Sequence, residues 1–122
     1  MPTPPEGRRA ARTSREGGPL VELLWWEGCP STAKALELLR EALGAEGLDP
    51  QAVEMREVGT AEDAEREEFV GSPTIRLDGA DISPAAGEPA GLSCRIYRLR
   101  DGRISPTPDP EDIRDAIRRT IE

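Results

Sequence analysis

The sequence contains no histidine. That excludes Cys-His and Ser-His-Asp nucleophilic catalysis and any histidine-ligated metal. A proton-transfer group must then be a carboxylate, a thiol, a tyrosine or a lysine. Lysine is nearly absent as well: Lys34 stands alone against 15 arginines. Four aromatic residues (Trp25, Trp26, Phe69 and Tyr97) leave core burial to Leu, Val, Ile and Ala. Two cysteines make at most one bridge, so no disulfide framework is available. No apolar run approaches a membrane span, and none follows the arginines of "GRRAARTSREGG". The expectation is a cytoplasmic protein with no membrane partner.

The chain of 122 residues is 36% hydrophobic, with a mean hydropathy of −0.56. One soluble domain with a small core fits those values. The net charge is −8, and the first 18 residues carry four Arg and two Glu, so the remainder carries −10. Such an acidic domain repels phosphate backbones, which argues against a nucleic-acid partner. Residues 1–18 are rich in Pro, Gly and Arg and hold almost no large apolar side chains. Such a segment cannot offset its ordering entropy by burial, and a disordered tail is expected there. The domain is expected over 19–122.

Within the domain the hydrophobic period changes repeatedly. "LVELLWW" (20–26) is too short for a helix and reads as a strand buried on both faces. From Pro30, which suits a first helical turn, Ala33, Leu36, Leu39 and Leu43 recur at three- and four-residue steps. "AVEMREV" (52–58) alternates, with Val53 and Met55 on one side, and predicts a second strand. Thr60 and Asp63 form a variant capping box at the start of a short acidic helix. "GSPTIRLDG" (71–79) reads as turn, strand, turn. A Gly/Pro/Ala-rich loop of about fifteen residues (79–93) follows, long for a compact domain. "CRIYRLRDGRIS" (94–105) starts as a strand, with Ile96 and Leu99 turned inward and Asp101-Gly102 as its turn. Asp109, Pro110 and the stripe Ile113, Ala116, Ile117, Ile121 predict a closing helix, with Arg118 and Arg119 complementing its dipole. The order is β-α-β-α-β-β-α, an α/β fold around a mixed central sheet. The first β-α-β unit requires a parallel pair. No internal repeat is present.

Cys29 lies where the first strand passes into the first helix, in "WWEGCPST". Unpaired N–H groups and the positive end of the dipole favour a thiolate there. Thr32, one turn on, can donate a hydrogen bond to it, whereas the Glu27 carboxylate opposes it. The alternative is a small residue filling a gap. Ser72-Pro73, leading into a strand, is a candidate cis bond.

The strand–"WWEGCPST"–helix unit, the later "GSPTIRLDG", and the closing strand and helix together resemble the thioredoxin-like superfamily. The resemblance spans about residues 19–122 and is nearest to small bacterial members with a Gly-Cys-Pro start and a late "SCRIYR" segment. It implies that a cis-Pro73 faces Cys29 and that Ser72 and Thr74 beside it help position an extended substrate. Trp26 borders that groove. "CPST" lacks the second cysteine of Cys-x-x-Cys, and Leu23 stands where thioredoxins bury an aspartate. Monothiol relatives carry Ser or Thr at the position of Thr32 and work through mixed disulfides with glutathione.

Cys94 separates the mechanisms. Either it is a second thiol that resolves a mixed disulfide, or it is a buried structural residue. A bridge needs Cα atoms within about 7 Å. In the usual register, five residues of strand after Pro73 lead the chain roughly 17 Å away. That places Cys94 at the opposite pole unless loop 79–93 returns it. Three functions stay open. The first is thiol–disulfide or glutathione-linked chemistry with Cys29 as nucleophile and Thr32 and Cys94 assisting. The second is binding of mercury or copper by Cys29 and Cys94, in line with a loose resemblance of "SCRIYR" to alkylmercury lyases. The third is a thioredoxin-like interaction module without turnover. The first requires protein or small-molecule thiols as partners, and no resident cofactor or metal is expected.

Overall fold

The computed structural model describes residues 18–84 and 87–121. The tail expected to be disordered lies outside the described residues, apart from Gly18. The element order is β1 (Val21–Trp25), α1 (Thr32–Ala45), β2 (Val53–Glu57), α2 (Ala61–Glu67), β3 (Thr74–Leu77), β4 (Ala80–Asp81), β5 (Tyr97–Arg98), β6 (Ile104–Ser105) and α3 (Pro110–Ile121). The main sheet runs β2-β1-β3-β4. β1 pairs parallel with β2 and antiparallel with β3, and β3 pairs antiparallel with β4. This is a mixed α/β fold. No helix among the described residues is long and apolar enough to cross a membrane.

The alternation of β1 builds the layers. Val21 and Leu23 join Ala35, Leu39, Ala42 and Leu43 of α1 and Ile113, Ala116 and Ile117 of α3 in the larger core. Leu24 turns the other way and meets Val58, Ala64 and Phe69, with Trp26 and Leu92 packed against them. Glu22 shares that second face and is buried, paired with Arg56 at 3.0 Å. Glu46, at the end of α1, accepts from Arg114 and Arg118 at 3.0 and 3.1 Å and ties the two helices of the larger core together. Thr60 caps α2 by accepting from the N–H of Asp63, as the capping-box pattern predicts.

Four expectations are corrected. Helix α1 starts at Thr32, after a turn in which the N–H of Cys29 bonds Trp26 O at 3.0 Å. Its buried stripe is therefore Ala35, Leu39, Ala42 and Leu43, while Ala33 is exposed. Met55 on the edge strand β2 is exposed. The strand that extends the sheet beyond β3 is Ala80–Asp81, whereas Tyr97–Arg98 and Ile104–Ser105 form a separate two-stranded ribbon. Within "CRIYR" the inward residues are Arg95 and Tyr97; Ile96 is 72% exposed and Leu99 half-buried. An arginine turns inward here because its guanidinium finds partners below the surface, which a hydropathy pattern does not register.

Candidate redox site

The register of β1 with β3 builds the site. Leu24 pairs with Thr74, so the chain entering β3 lies beside the chain leaving β1. The entering segment is Gly71-Ser72-Pro73, and its Ser72–Pro73 peptide bond is cis. The leaving segment is Trp25 to Cys29. Two contacts join them directly. The N–H of Trp26 donates to Ser72 Oγ at 3.1 Å, and the Cys29 thiol donates to Ser72 O at 3.4 Å. Gly28 fits beneath the Trp26 indole, where a Cβ would lie 2.5 Å from ring carbons.

Cys94 lies at this same pole. The usual register predicts the opposite one, and the hairpin explains the difference. Asp78 and Gly79, both at positive φ, reverse the chain immediately after β3, and β4 runs back along it. The N–H of Ile82 bonds Ile75 O at 3.0 Å, continuing the return. Further along, the N–H of Gly91 bonds Phe69 O at 3.0 Å. Ser72 then pairs with the strap Ser93-Cys94-Arg95 in a parallel bridge: Ser72 N–H donates to Ser93 O and Arg95 N–H to Ser72 O, both at 2.8 Å. Gly71, at φ +140°, allows this approach, since a Cβ there would meet the Arg95 backbone at 3.3 Å.

The two sulfurs differ in environment. Cys29 is 7% exposed and Cys94 is exposed. Burial pushes the Cys29 thiol up, but four donors outweigh it: the Ser72 side chain, the Ser31 backbone N–H, the Cys94 thiol and the Thr32 hydroxyl. The Cys29 pKa is lowered as a result. Ser31 N–H reaches Cys29 Sγ at 3.4 Å. Ser72 Oγ accepts from Trp26, which leaves its own proton for the sulfur. Thr32 Oγ1 is buried, makes no other hydrogen bond among the described residues, and contributes to lowering the Cys29 pKa. Cys94 shifts the opposite way. Desolvation, the charge on Cys29 and their shared hydrogen bond all raise it. Ser72 links the two cysteines, and their opposite shifts mean that the first proton the pair loses comes from the Cys29 side.

The strap is pinned by residues that the sequence pattern passed over. Arg95 is buried and donates to Asp81 at 2.9 Å and Thr74 Oγ1 at 3.0 Å, and also to Ser83 O. Its guanidinium lies 4.8 Å from the centre of the Tyr97 ring. The Tyr97 hydroxyl donates to Pro73 O, and burial pushes that phenol above its ordinary range. The inward–outward alternation of "SCRIYR" was the available signal, read in the wrong phase. Of the residues singled out in the sequence, Cys29, Thr32, Ser72, Pro73, Trp26 and Cys94 converge here. Thr74 lies beneath them, fully engaged with Gly71 O and Arg95. Ser72, Pro73 and Thr74 are all buried.

The opposite shifts give a pH prediction for the reduced protein. The Cys29 pKa is lower folded than unfolded, so the folded state binds fewer protons there and stability rises with pH up to the ordinary thiol value, about 8.5. Cys94 is raised, so its contribution is lost as the pH climbs beyond that value. The urea midpoint is expected to climb from neutral pH and then fall. Cys29→Ser should remove the climb, and an unchanged profile in that variant would contradict the assignment.

Comparison with protein-family models, with curated proteins and with solved structures found no match to the chain.

Proposed function

We propose that this chain is a thioredoxin-like thiol–disulfide oxidoreductase whose redox centre is the Cys29–Cys94 pair. The observation that carries this reading is that Ser72 joins the two cysteines: its carbonyl accepts from the Cys29 thiol at 3.4 Å, its backbone is bridged to Cys94, and the two thiol pKa values are driven apart. A stabilised thiolate beside a protonated thiol is the arrangement from which an intramolecular disulfide closes and reopens. The β1-α1-β2 unit, with Cys29 between its strand and its helix, and the cis-Pro73 opposite support the thioredoxin-like assignment. Thr32 stands where a Cys-x-x-Cys motif has its second thiol, and Cys94 supplies the missing sulfur from a remote part of the chain.

Closure of the pair balances simply. The Cys29 thiolate attacks a Cys94 sulfur that carries a leaving thiol from a mixed disulfide. The Cys29–Cys94 bond forms, the mixed disulfide breaks, and the departing thiolate takes up a proton. The full chain, treated with oxidised glutathione and then alkylated, is expected to lose two hydrogens by mass and to accept no alkyl group. Cys29→Ser and Cys94→Ser should each keep one alkylatable or adducted thiol. Two free thiols in the wild type, or linkage only between molecules, would overturn the proposal.

A second reading rests on the same pair. Two adjacent thiolates suit a two-coordinate thiophilic cation such as mercury(II) or copper(I). Among the described residues, no group of three or more His, Cys, Asp or Glu side chains is gathered as a metal site. Cation binding that requires both thiols, in a protein that does not close the disulfide, would favour this reading.

A further inference from the structure

The site has two sides, and the chain itself occupies one of them. An extended peptide docking beside Pro73 needs free backbone donors and acceptors. Here Ser72 N–H is taken by Ser93 O, Ser72 O by Arg95 N–H and the Cys29 thiol, and Pro73 O by the Tyr97 hydroxyl. Pro73 has no N–H. The strap 93–95 thus fills the edge where a protein substrate would pair, and it leaves Cys29 buried behind it.

The open side belongs to Cys94. A cleft of about 540 Å³ is walled by Glu88, Pro89, Ser93, Cys94 and Arg98, among others, and Cys29 does not line it. That volume suits a small organic ligand. Its charges are of both signs. Arg98 is exposed and bonds a backbone carbonyl, Gly102 O, and makes no ion pair among the described residues. Glu88, also exposed, has no ion-pair partner among the described residues. Arg95, the other cation in the cleft wall, is committed to Asp81.

We infer that the centre exchanges through Cys94 rather than Cys29, and that its partner is a low-molecular-weight, amino-acid-derived thiol whose carboxylate and ammonium groups meet Arg98 and Glu88. This rests on the oxidoreductase reading above. The thiolate of the small thiol attacks Cys94 Sγ in the closed disulfide. The Cys29–Cys94 bond breaks, a bond from the small thiol's sulfur to Cys94 forms, and Cys29 leaves as a thiolate held by Ser31 N–H and the Ser72 and Thr32 hydroxyls. A second small thiol attacks the first one's sulfur. The small-molecule disulfide departs and Cys94 takes up a proton. Two thiols are oxidised and the protein disulfide is reduced to the dithiol; the sequence also runs in reverse. A low-pKa sulfur is the better leaving group, so burying Cys29 and exposing Cys94 matches this order.

The test uses the full chain with glutathione, cysteine and cysteamine, the last lacking a carboxylate. The oxidised protein is mixed with glutathione, quenched in acid and mapped by peptide mass. The adduct is expected on Cys94, and with oxidised glutathione Cys29→Ser should form adduct at least about tenfold faster than Cys94→Ser. An adduct on Cys29 in the mapped protein would overturn the assignment of Cys94. A wild type that never closes its disulfide would sink the parent reading instead. Arg98→Gln should raise the half-saturating concentration of cysteine about fivefold and leave cysteamine unchanged. Equal handling of cysteine and cysteamine by wild type and Arg98→Gln would overturn the ligand class. Preferential reaction with an unfolded protein's thiols over all three small thiols would do the same.

Discussion

Arg95→Met should uncouple the two thiols and destabilise the domain by about 3 kcal/mol, since it breaks a buried ion pair and strands its partners. The Arg95 side chain is 6% exposed, and the Asp81 carboxylate it pairs with is partly buried. Removing the guanidinium leaves Asp81, Thr74 Oγ1 and Ser83 O without that donor and removes the cation from the Tyr97 ring. The same residue's backbone N–H holds the strap to Ser72. Stability and the placement of Cys94 should therefore fail together. Urea denaturation gives the first quantity, and the yield of intramolecular disulfide after mild oxidation gives the second. Arg95→Lys keeps the charge but loses the planar fork, and should fall between wild type and Met on both measures. A Met variant that matches wild type in disulfide yield would show that the strap is held by its backbone alone.

Phe69→Ala is the second large effect. Phe69 is fully buried and is the largest side chain of the smaller core, against Leu24, Val58 and Ala64. Truncating such a ring typically costs about 4 kcal/mol through lost burial and an unfilled cavity. The consequence reaches the site because Phe69 O anchors Gly91, and Ala90 and Leu92 pack on the same cluster just before Cys94. Even under conditions where the variant is folded, Cys94 should close on Cys29 less completely. Ile96→Ser is the control: it lies next to the strap but is 72% exposed, and a change within about 0.5 kcal/mol is expected. Equal losses in the two variants would mean that the smaller core does not hold the loop.

Closed and open forms of the pair should also differ in driving force. A reduced form stabilised by a low-pKa thiolate makes the corresponding disulfide more oxidising. Several groups contribute at Cys29: Ser31, Ser72, Thr32 and Cys94. Cys94→Ser removes one of them and the bridge at once. The pH profile and the alkylation pattern therefore report on the same sulfur from two sides.

What was legible in the sequence was local. The apolar run at 20–26, the Thr60 cap and the Ile113–Ile117 stripe each predicted an element, because strand burial, capping and helical periodicity are short-range properties. Cys29 and Ser72-Pro73 could be singled out for the same reason: a strand end and an X-Pro step are written in adjacent residues. Helix α1 was placed two residues early because Pro30 fits a first helical turn and also the turn that precedes one.

The rest depended on residues distant in sequence. Whether Cys94 meets Cys29 was decided by the Asp78-Gly79 reversal, which sends β4 straight back along β3, and by a strap that bonds Ser72 on both sides. Arg95 and Tyr97 turn inward, and Ile96 outward, only because Asp81, Thr74 and Pro73 O lie waiting beneath them. A charged side chain is buried when its partners are fixed in place, and those partners come from two other strands and a turn. The sequence determined one sulfur in the turn between the first strand and the first helix, and the strands on either side of it. Tertiary structure alone decided that a second sulfur, 65 residues further on, lies at the same pole as the first, joined to it through Ser72, and faces solvent while the first is buried. Long-range hydrogen bonding sets that arrangement, and no local pattern encodes it.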